Sequence, residues 1–259
     1  MKYLSFLLLT VIFIISSCTK TIDLNLDEDE QRTVIDSKLL LGTHNFEVNL
    51  SKSGNYFGTG SINHITDATV SLFDGVETYD LTNQGNGVYQ LADFTTSEYQ
   101  DYKLTVEENG ATHEASAKMV SVVTLDTLYF EYVEAVFGDE ESGYQVLVDY
   151  LDPVDIHNYY MLETRVNGEL DFDDFVVFDD EFINGNRLIF PVERELSIND
   201  TIQVDLISIN EETYHYFTQL QLAIDGGGAA PANPDNNFGK EVLGNFSVIA
   251  VSSRTAIVQ

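Results

Sequence analysis

Basic residues are scarce in this chain. Twelve lysines and arginines face 43 aspartates and glutamates, for a net charge of −31. A nucleic-acid partner requires a basic stripe, so that class is excluded. Docking by charge onto an anionic membrane is disfavoured for the same reason. Tryptophan is missing, although 14 tyrosines and 16 phenylalanines are present. Sugar-binding platforms favour broad flat rings with a polar handle, so glycan binding loses weight. There is a single cysteine, which leaves stability to burial rather than to disulfides or a thiolate metal site. The histidines at 44, 64, 113, 157 and 215 show neither HxH nor HExxH spacing, and no zinc or other transition-metal cofactor is expected. GxSxG, P-loop and dinucleotide fingerprints are absent as well.

Long apolar runs are also missing, with one short exception. Lys2 supplies a positive start, residues 4–15 are almost wholly apolar, and Ser16-Ser17-Cys18 follows. The run is shorter than the roughly 20 residues a spanning helix needs. Charge, short apolar segment and small residues are the order of a secretory signal. Ile15-Ser16-Ser17-Cys18 resembles a bacterial lipobox, which makes residues 1–17 a lipoprotein signal peptide and Cys18 the lipidated residue. Two or three acyl chains anchor stably, at roughly 0.8 kcal/mol per buried methylene. Residues 18–31 form an acidic, flexible tether through Asp27-Glu28-Asp29-Glu30.

From Arg32 onward the pattern is one of short alternating runs. Val34 to Leu41 reads as a strand, residues 42–45 as a turn, and Phe46, Val48 and Leu50 as the buried side of a second strand. Asn109-Gly110 favours a two-residue hairpin turn; Asn167-Gly168 and Asn184-Gly185 give the same signal. The expected class is mainly β: two immunoglobulin-like antiparallel β-sandwich domains at 32–120 and 121–259. The second domain carries one α-helix near 211–225, capped by Asn210, with Tyr214, Phe217, Leu220 and Ile224 on one face. Gly226-Gly227-Gly228 terminates that helix, and two strands, 246–252 and 255–258, close the chain.

The densest charge lies in DFDDFVVFDDEF. Asp171, Asp173, Asp174, Asp179, Asp180 and Glu181 are hard oxygen ligands that could hold Ca²⁺, but the EF-hand glycine is missing and phenylalanine and valine alternate with the acids. A solvated strand edge accounts for the run better. Carboxylate pairs for glycoside hydrolysis carry little information in so acidic a chain. Tyr56 and Phe57, in a glycine-rich loop, are candidates for an interaction surface, with capping of the sandwich end as the plainer reading. Asp126-Thr127-Leu128 and Asp200-Thr201-Ile202 resemble the D-[S/T]-aliphatic O-glycosylation site of exported Bacteroidota proteins, which makes Thr127 and Thr201 candidates for modification.

Several ordered segments together resemble a known family. Ser17-Cys18-Thr19-Lys20-Thr21-Ile22-Asp23-Leu24 resembles an "SCxKxIDL" opening, and residues 48–57 a "VxLSxSxxYF" segment. Gly87-Val88-Tyr89 resembles "GxY", residues 179–185 "xDxxFxG", residues 208–220 "SIDxxxYxYxxxL", and Leu243-Gly244-Asn245-Phe246-Ser247 "LGxFS". These are segments of the Bacteroidota outer-membrane lipoproteins grouped as domain-of-unknown-function family 4249 (DUF4249). The resemblance implies a lipid-anchored outer-membrane protein with immunoglobulin-like sandwich character, often encoded beside TonB-dependent receptors, and no established catalytic residues. It also recasts residues 179–185 as a shared structural turn. The expectation is therefore a non-catalytic accessory lipoprotein working with a TonB-dependent transporter. The alternative is an envelope hydrolase or a Ca²⁺-dependent glycan- or peptide-binding protein that uses the acidic clusters.

Overall fold

The computed structural model describes residues 31–54, 62–134, 142–170, 175–224 and 233–259. The signal segment, Cys18, nearly all of the tether, Tyr56, Phe57, Asp171, Asp173, Asp174 and residues 226–228 lie outside them. Period-two alternation sets the architecture. Phe46, Val48 and Leu50 fall on one side of a pleated strand, and all three are buried.

The strands are β1 (Thr33–Leu40), β2 (Gly42–Lys52), β3 (Asn63–His64), β4 (Thr69–Phe73), β5 (Thr78–Asp80) and β6 (Thr82–Gly85), followed by β7 (Val88–Thr96), β8 (Asp101–Glu108) and β9 (Ala111–Lys118). The second half adds β10 (Leu125–Val133), β11 (Gly143–Leu151), β12 (Tyr159–Val166), β13 (Glu169–Leu170), β14 (Val176–Asp179), β15 (Arg187–Leu196) and β16 (Thr201–Ile209). Helix α1 (Glu211–Ile224) and the long strand β17 (Val242–Ile257) follow. A ten-stranded sheet runs β13-β12-β16-β17-β1-β2-β7-β6, with β14 also on β12 and β3 on β2. A four-stranded sheet, β5-β4-β8-β9, and a three-stranded sheet, β10-β11-β15, complete the layers.

Two cores follow from this. Ile35, Val48 and Tyr89 of the large sheet pack with Leu72, Leu104 and Val106 of the four-stranded sheet. Tyr160, Leu162 and Val204 pack with Val146, Val148 and Tyr150 of the three-stranded sheet. The first core draws on residues 35–119 together with Val242, Phe246 and Val248 of β17, and the second on residues 123–206 together with Val258, just past the end of that strand. The first part of β17 pairs with β1 up to Ile249, the second part pairs with β16 from Ile249 onward, and only Ile249 has a partner on each side. Residues 31–259 accordingly form one compact unit.

Four local readings change. β1 and β17 pair in parallel, whereas the other strand pairs among the described residues are antiparallel. Residues 42–45 are not a turn; they open β2, which pairs with β7 through a bulge between His44 and Phe46. The two expected C-terminal strands are one, because residues 252–254 continue the ladder with β16. Asn184-Gly185 does not close a hairpin: β14 belongs to the large sheet and β15 to the three-stranded one, so the chain changes sheets there. Asn109-Gly110 and Asn167-Gly168 do form the expected turns, with positive φ at both residues of each pair.

Two of the segments that carry the family resemblance are explained by close approach. At Gly244, φ is +89° and a Cβ would lie 2.1 Å from the carbonyl oxygen of Ile35, its partner in the β1–β17 ladder. Gly87 likewise has φ +76° and would place a Cβ 2.3 Å from the carbonyl oxygen of Leu50. Two residues on, the buried Tyr89 hydroxyl accepts from Ala68 N and donates to Ile65 O.

Helix α1 starts as its sequence dictates. Asn210 Oδ1 accepts from Thr213 N at 3.1 Å, and Glu211 and Glu212 occupy the positive end of the helix dipole. Tyr214 and Phe217 pack on Met161, Ile207, Ile209 and Ile249, on the face of the large sheet opposite the second core. Ile224, expected on the same buried face, is exposed at the end of the helix.

A buried ionic latch joins the layers of the first sandwich. Glu108 on β8 accepts from Lys52 Nζ on β2 at 2.9 and 3.1 Å and from the Thr33 hydroxyl on β1. His113 Nε2 on β9 lies 3.7 Å from the same carboxylate. Burial pushes the Glu108 carboxyl up, but the Thr33 and Lys52 hydrogen bonds and the Lys52 charge outweigh it and hold it below the usual glutamate range.

Candidate functional site

The site is built where two connections meet. β11 stops at Leu151 because Asp152-Pro153 follows, and proline has no N–H to donate to a ladder. Residues 152–158 then lead to β12. Residues 180–186 carry the chain from β14 to β15. The second segment folds on itself: Ile183 N and Asn184 N both donate to Asp180 O, and Asn186 N donates to Ile183 O.

The two segments are bonded to each other along their length. Asp152 N donates to Asn186 O at 3.0 Å, and Asp180 N to Asn158 O at 3.1 Å. Gly185 N donates to Asp152 Oδ2 at 2.8 Å. Asn184 bridges both ways, its Oδ1 accepting from Asp155 N and its Nδ2 donating to Ile156 O. Asp179 ties the same unit to the helix, accepting from Glu181 N at 3.1 Å and from the Tyr214 hydroxyl at 3.3 Å.

This bonding holds an apolar tip in solvent. Phe182 is 90% exposed, with Val154 at 67% and Ile156 at 43%. Exposed Asp155 and Glu181 flank it. A phenylalanine held out in water on a braced turn gains nothing for folding, since its ring forgoes the roughly 1.5–3 kcal/mol that burial gives.

Beneath the tip lie two buried carboxylates, Asp152 and Asp180. Asp152 accepts from the Tyr160 hydroxyl as well as from Gly185. Burial raises the Tyr150 and Tyr160 hydroxyls well above the ordinary tyrosine range. The hydrogen bond to Asp152 raises Tyr160 further, and the charges of Asp152 and Asp180 add to both.

The described acids of the run, Asp179, Asp180 and Glu181, take three different roles. Asp179 serves the helix contact, Asp180 turns inward and Glu181 faces solvent. Among the described residues, no three His, Cys, Asp or Glu side chains are placed together to hold a metal ion. Thr127 and Thr201 are both half-buried, and their neighbouring aspartates have structural partners. Asp126 pairs with Arg187 Nη2 at 2.8 Å. Asp200 accepts from Ser197 N and from Asn167 Nδ2, and these bonds hold its carboxyl below the usual range.

Elsewhere, a cleft of about 580 Å³ lies over the four-stranded sheet, lined by Ser71, Phe73, Thr78, Asp101, Lys103 and Thr105. Lys103 is committed to Glu114 at 2.8 Å. A groove of about 530 Å³ crosses the large sheet. Its charges neutralise one another: Arg165 bonds Asp205 and approaches Glu163 at 3.5 Å, and Lys38 lies 3.8 Å from Glu163. No helix among the described residues is long and apolar enough to cross a membrane.

The sequence marks residues 179–185 as a turn shared with the family, but it does not single out Phe182, Asp152 or the 152–158 connection as parts of a site. The available signal was a lone aromatic between acids and Asn-Gly, together with the Asp-Pro break facing it. A family model described as "Domain of unknown function (DUF4249)" matches residues 19–255. No curated protein matches the chain.

Proposed function

Starting from the fact that the chain belongs to the DUF4249 family, we propose that it is a non-catalytic docking lipoprotein. It is anchored at the outer membrane through acyl chains on Cys18 and works with a TonB-dependent receptor in nutrient uptake. Phe182 is the anchor residue of its docking surface. The observation that carries this reading is the 90% exposure of Phe182 on a turn cross-bonded to its neighbour. A large ring carried on a cross-bonded backbone suits a binding hot spot, because the turn itself has little entropy left to lose on association. Flanking acids suit a receptor pocket with an apolar floor and a basic rim. The lipobox-like start supports the anchor, and the family resemblance supports the receptor class. The groove on the large sheet, where opposite charges neutralise one another, gives a hydrolase less to stand on.

The test is affinity capture from detergent-solubilised outer membranes. The full-length lipoprotein is expected to bring down a TonB-dependent receptor, and Phe182→Ala to lose it. Loss of an anchor of this kind costs about 2 kcal/mol or more, roughly thirtyfold in affinity. Capture that is indifferent to Phe182 removes the docking assignment.

A further inference from the structure

Asp180 is buried to 1% exposure, and neither of its carboxylate oxygens has a hydrogen-bond partner. The imidazole Nε2 of His157 stands 3.4 Å from Oδ1, but that ring is exposed and stacked on Tyr159 at 4.7 Å. Two more buried oxygens are unpartnered: Asn158 Oδ1, on the residue whose backbone Asp180 bonds, and the Tyr150 hydroxyl, which feels the Asp180 charge. Asn158 is fixed there by the bond from Asp180 N to its own carbonyl. Asp152, 2% exposed, brings a second carboxylate into the same cross-bonded pair of connections and has only neutral donors, Tyr160 and Gly185.

Two carboxylates are thus out of water with only neutral donors and one exposed imidazole between them. An uncompensated buried charge costs several kcal/mol, so such a group is neutralised by a proton, a cationic side chain or an ion. The unmet atoms are all oxygens, and the formal charge to be matched is that of two carboxylates. Hard divalent cations take such ligands.

We propose that residues 152–158 and 180–186 bind a divalent hard cation of the Ca²⁺ class through the Asp180 carboxylate and Asn158 Oδ1, with Asp152 as the second negative charge. Because three acidic or histidine side chains do not gather there, backbone carbonyls and water complete the shell, as is usual for this ion. The ion cross-links the two connections and stiffens the turn that presents Phe182. Whether Phe182 meets a partner does not affect this assignment.

The test uses the whole mature protein. Tb³⁺ serves as one probe, because its emission is sensitised here by tyrosine alone in a chain without tryptophan, and Tyr150, Tyr159 and Tyr160 surround the site. Saturable Tb³⁺ emission displaced by Ca²⁺ is expected, with binding weakened about tenfold or more in Asp180→Asn. Ca²⁺ at a hundredfold excess over its Kd is expected to raise Tm by about 5–10 °C, reversed by chelator. If Asp180→Asn does not fold, the wild-type titration and the Asn158→Ala variant decide. Four results overturn the proposal: no Ca²⁺ or chelator effect on Tm; no sensitised emission; Ca²⁺ binding that survives Asp180→Asn and Asn158→Ala unchanged; or a Ca²⁺-independent gain in stability at low pH that His157→Gln abolishes. Phe182→Ala is expected to keep Ca²⁺ binding, so failure of the docking reading and failure of this one are separable.

Discussion

Replacing Gly244 by alanine puts the largest calculable strain into the frame that carries the site. Gly244 lies where β17 runs beside β1, opposite Ile35, and the added Cβ would sit 2.1 Å from Ile35 O and 2.8 Å from its carbonyl carbon. Both atoms are backbone in a sheet interior, so no side-chain rotation relieves the overlap. The positive φ alone costs a residue with a Cβ about 1–2 kcal/mol. Separating the strands far enough to admit the methyl weakens one or two ladder hydrogen bonds, at about 1 kcal/mol each. The expected loss is therefore about 2–4 kcal/mol, which in a domain of this size lowers Tm by roughly 4–16 °C. Gly54→Ala is the control, since nothing lies within 4 Å of a Cβ there. Differential scanning calorimetry of the two variants beside the wild type makes the measurement. A Gly244→Ala transition within a degree or so of the Gly54→Ala transition would refute the close-approach account of this glycine.

Other outcomes follow from the same geometry. Glu108 has its carboxyl held below the usual range, so its contribution to stability is complete above the unfolded glutamate value and is lost as pH falls through the lower folded value. Wild-type unfolding curves should show this acid limb and Glu108→Gln should flatten it, while at neutral pH the variant, leaving the Lys52 ammonium without its counter-charge, loses about 3 kcal/mol. Asn210→Ala removes the acceptor for Thr213 N and should cost about 1 kcal/mol of stability in denaturant unfolding, with the packing of both cores unchanged by near-ultraviolet circular dichroism. Cys18→Ser should move the protein from the membrane pellet to the soluble fraction, because so acidic a chain has no charge-based hold on anionic lipid; retention in the pellet contradicts the anchor.

Much of this fold could be read in advance because alternation is local. Val146, Val148 and Tyr150 point one way whatever they pack against, and Asn109-Gly110 turns the chain on φ alone. Asn210 and the two glutamates after it likewise mark the start of α1 without reference to the sheet. Pairing is not local. Nothing in residues 33–40 announces a parallel partner in residues 242–249, and the single β17 looked like two strands because Ser252, Ser253 and Arg254 are polar. Their bonds explain the continuity: Ser252 Oγ accepts from Leu125 N, and Arg254 Nε donates to Asp126 O. The site was less legible for the same reason. Asp180 in a run of acids reads as one more solvated charge, and only the 152–158 connection packed against it turns it inward. Phe182 reads as one more alternating apolar residue at a strand or loop edge, and only the change of sheet between β14 and β15 leaves it in solvent.

The proposal to be tested is that a braced, exposed Phe182 docks the protein on a TonB-dependent receptor. Its most direct test is receptor affinity in detergent for the wild type, Phe182→Ala and Val76→Ala. Val76 is 82% exposed on the unrelated β4–β5 turn. The account predicts roughly thirtyfold weaker binding for Phe182→Ala, an unchanged Kd for Val76→Ala, and equal Tm values for all three. Equal affinities for Phe182→Ala and the wild type would contradict it.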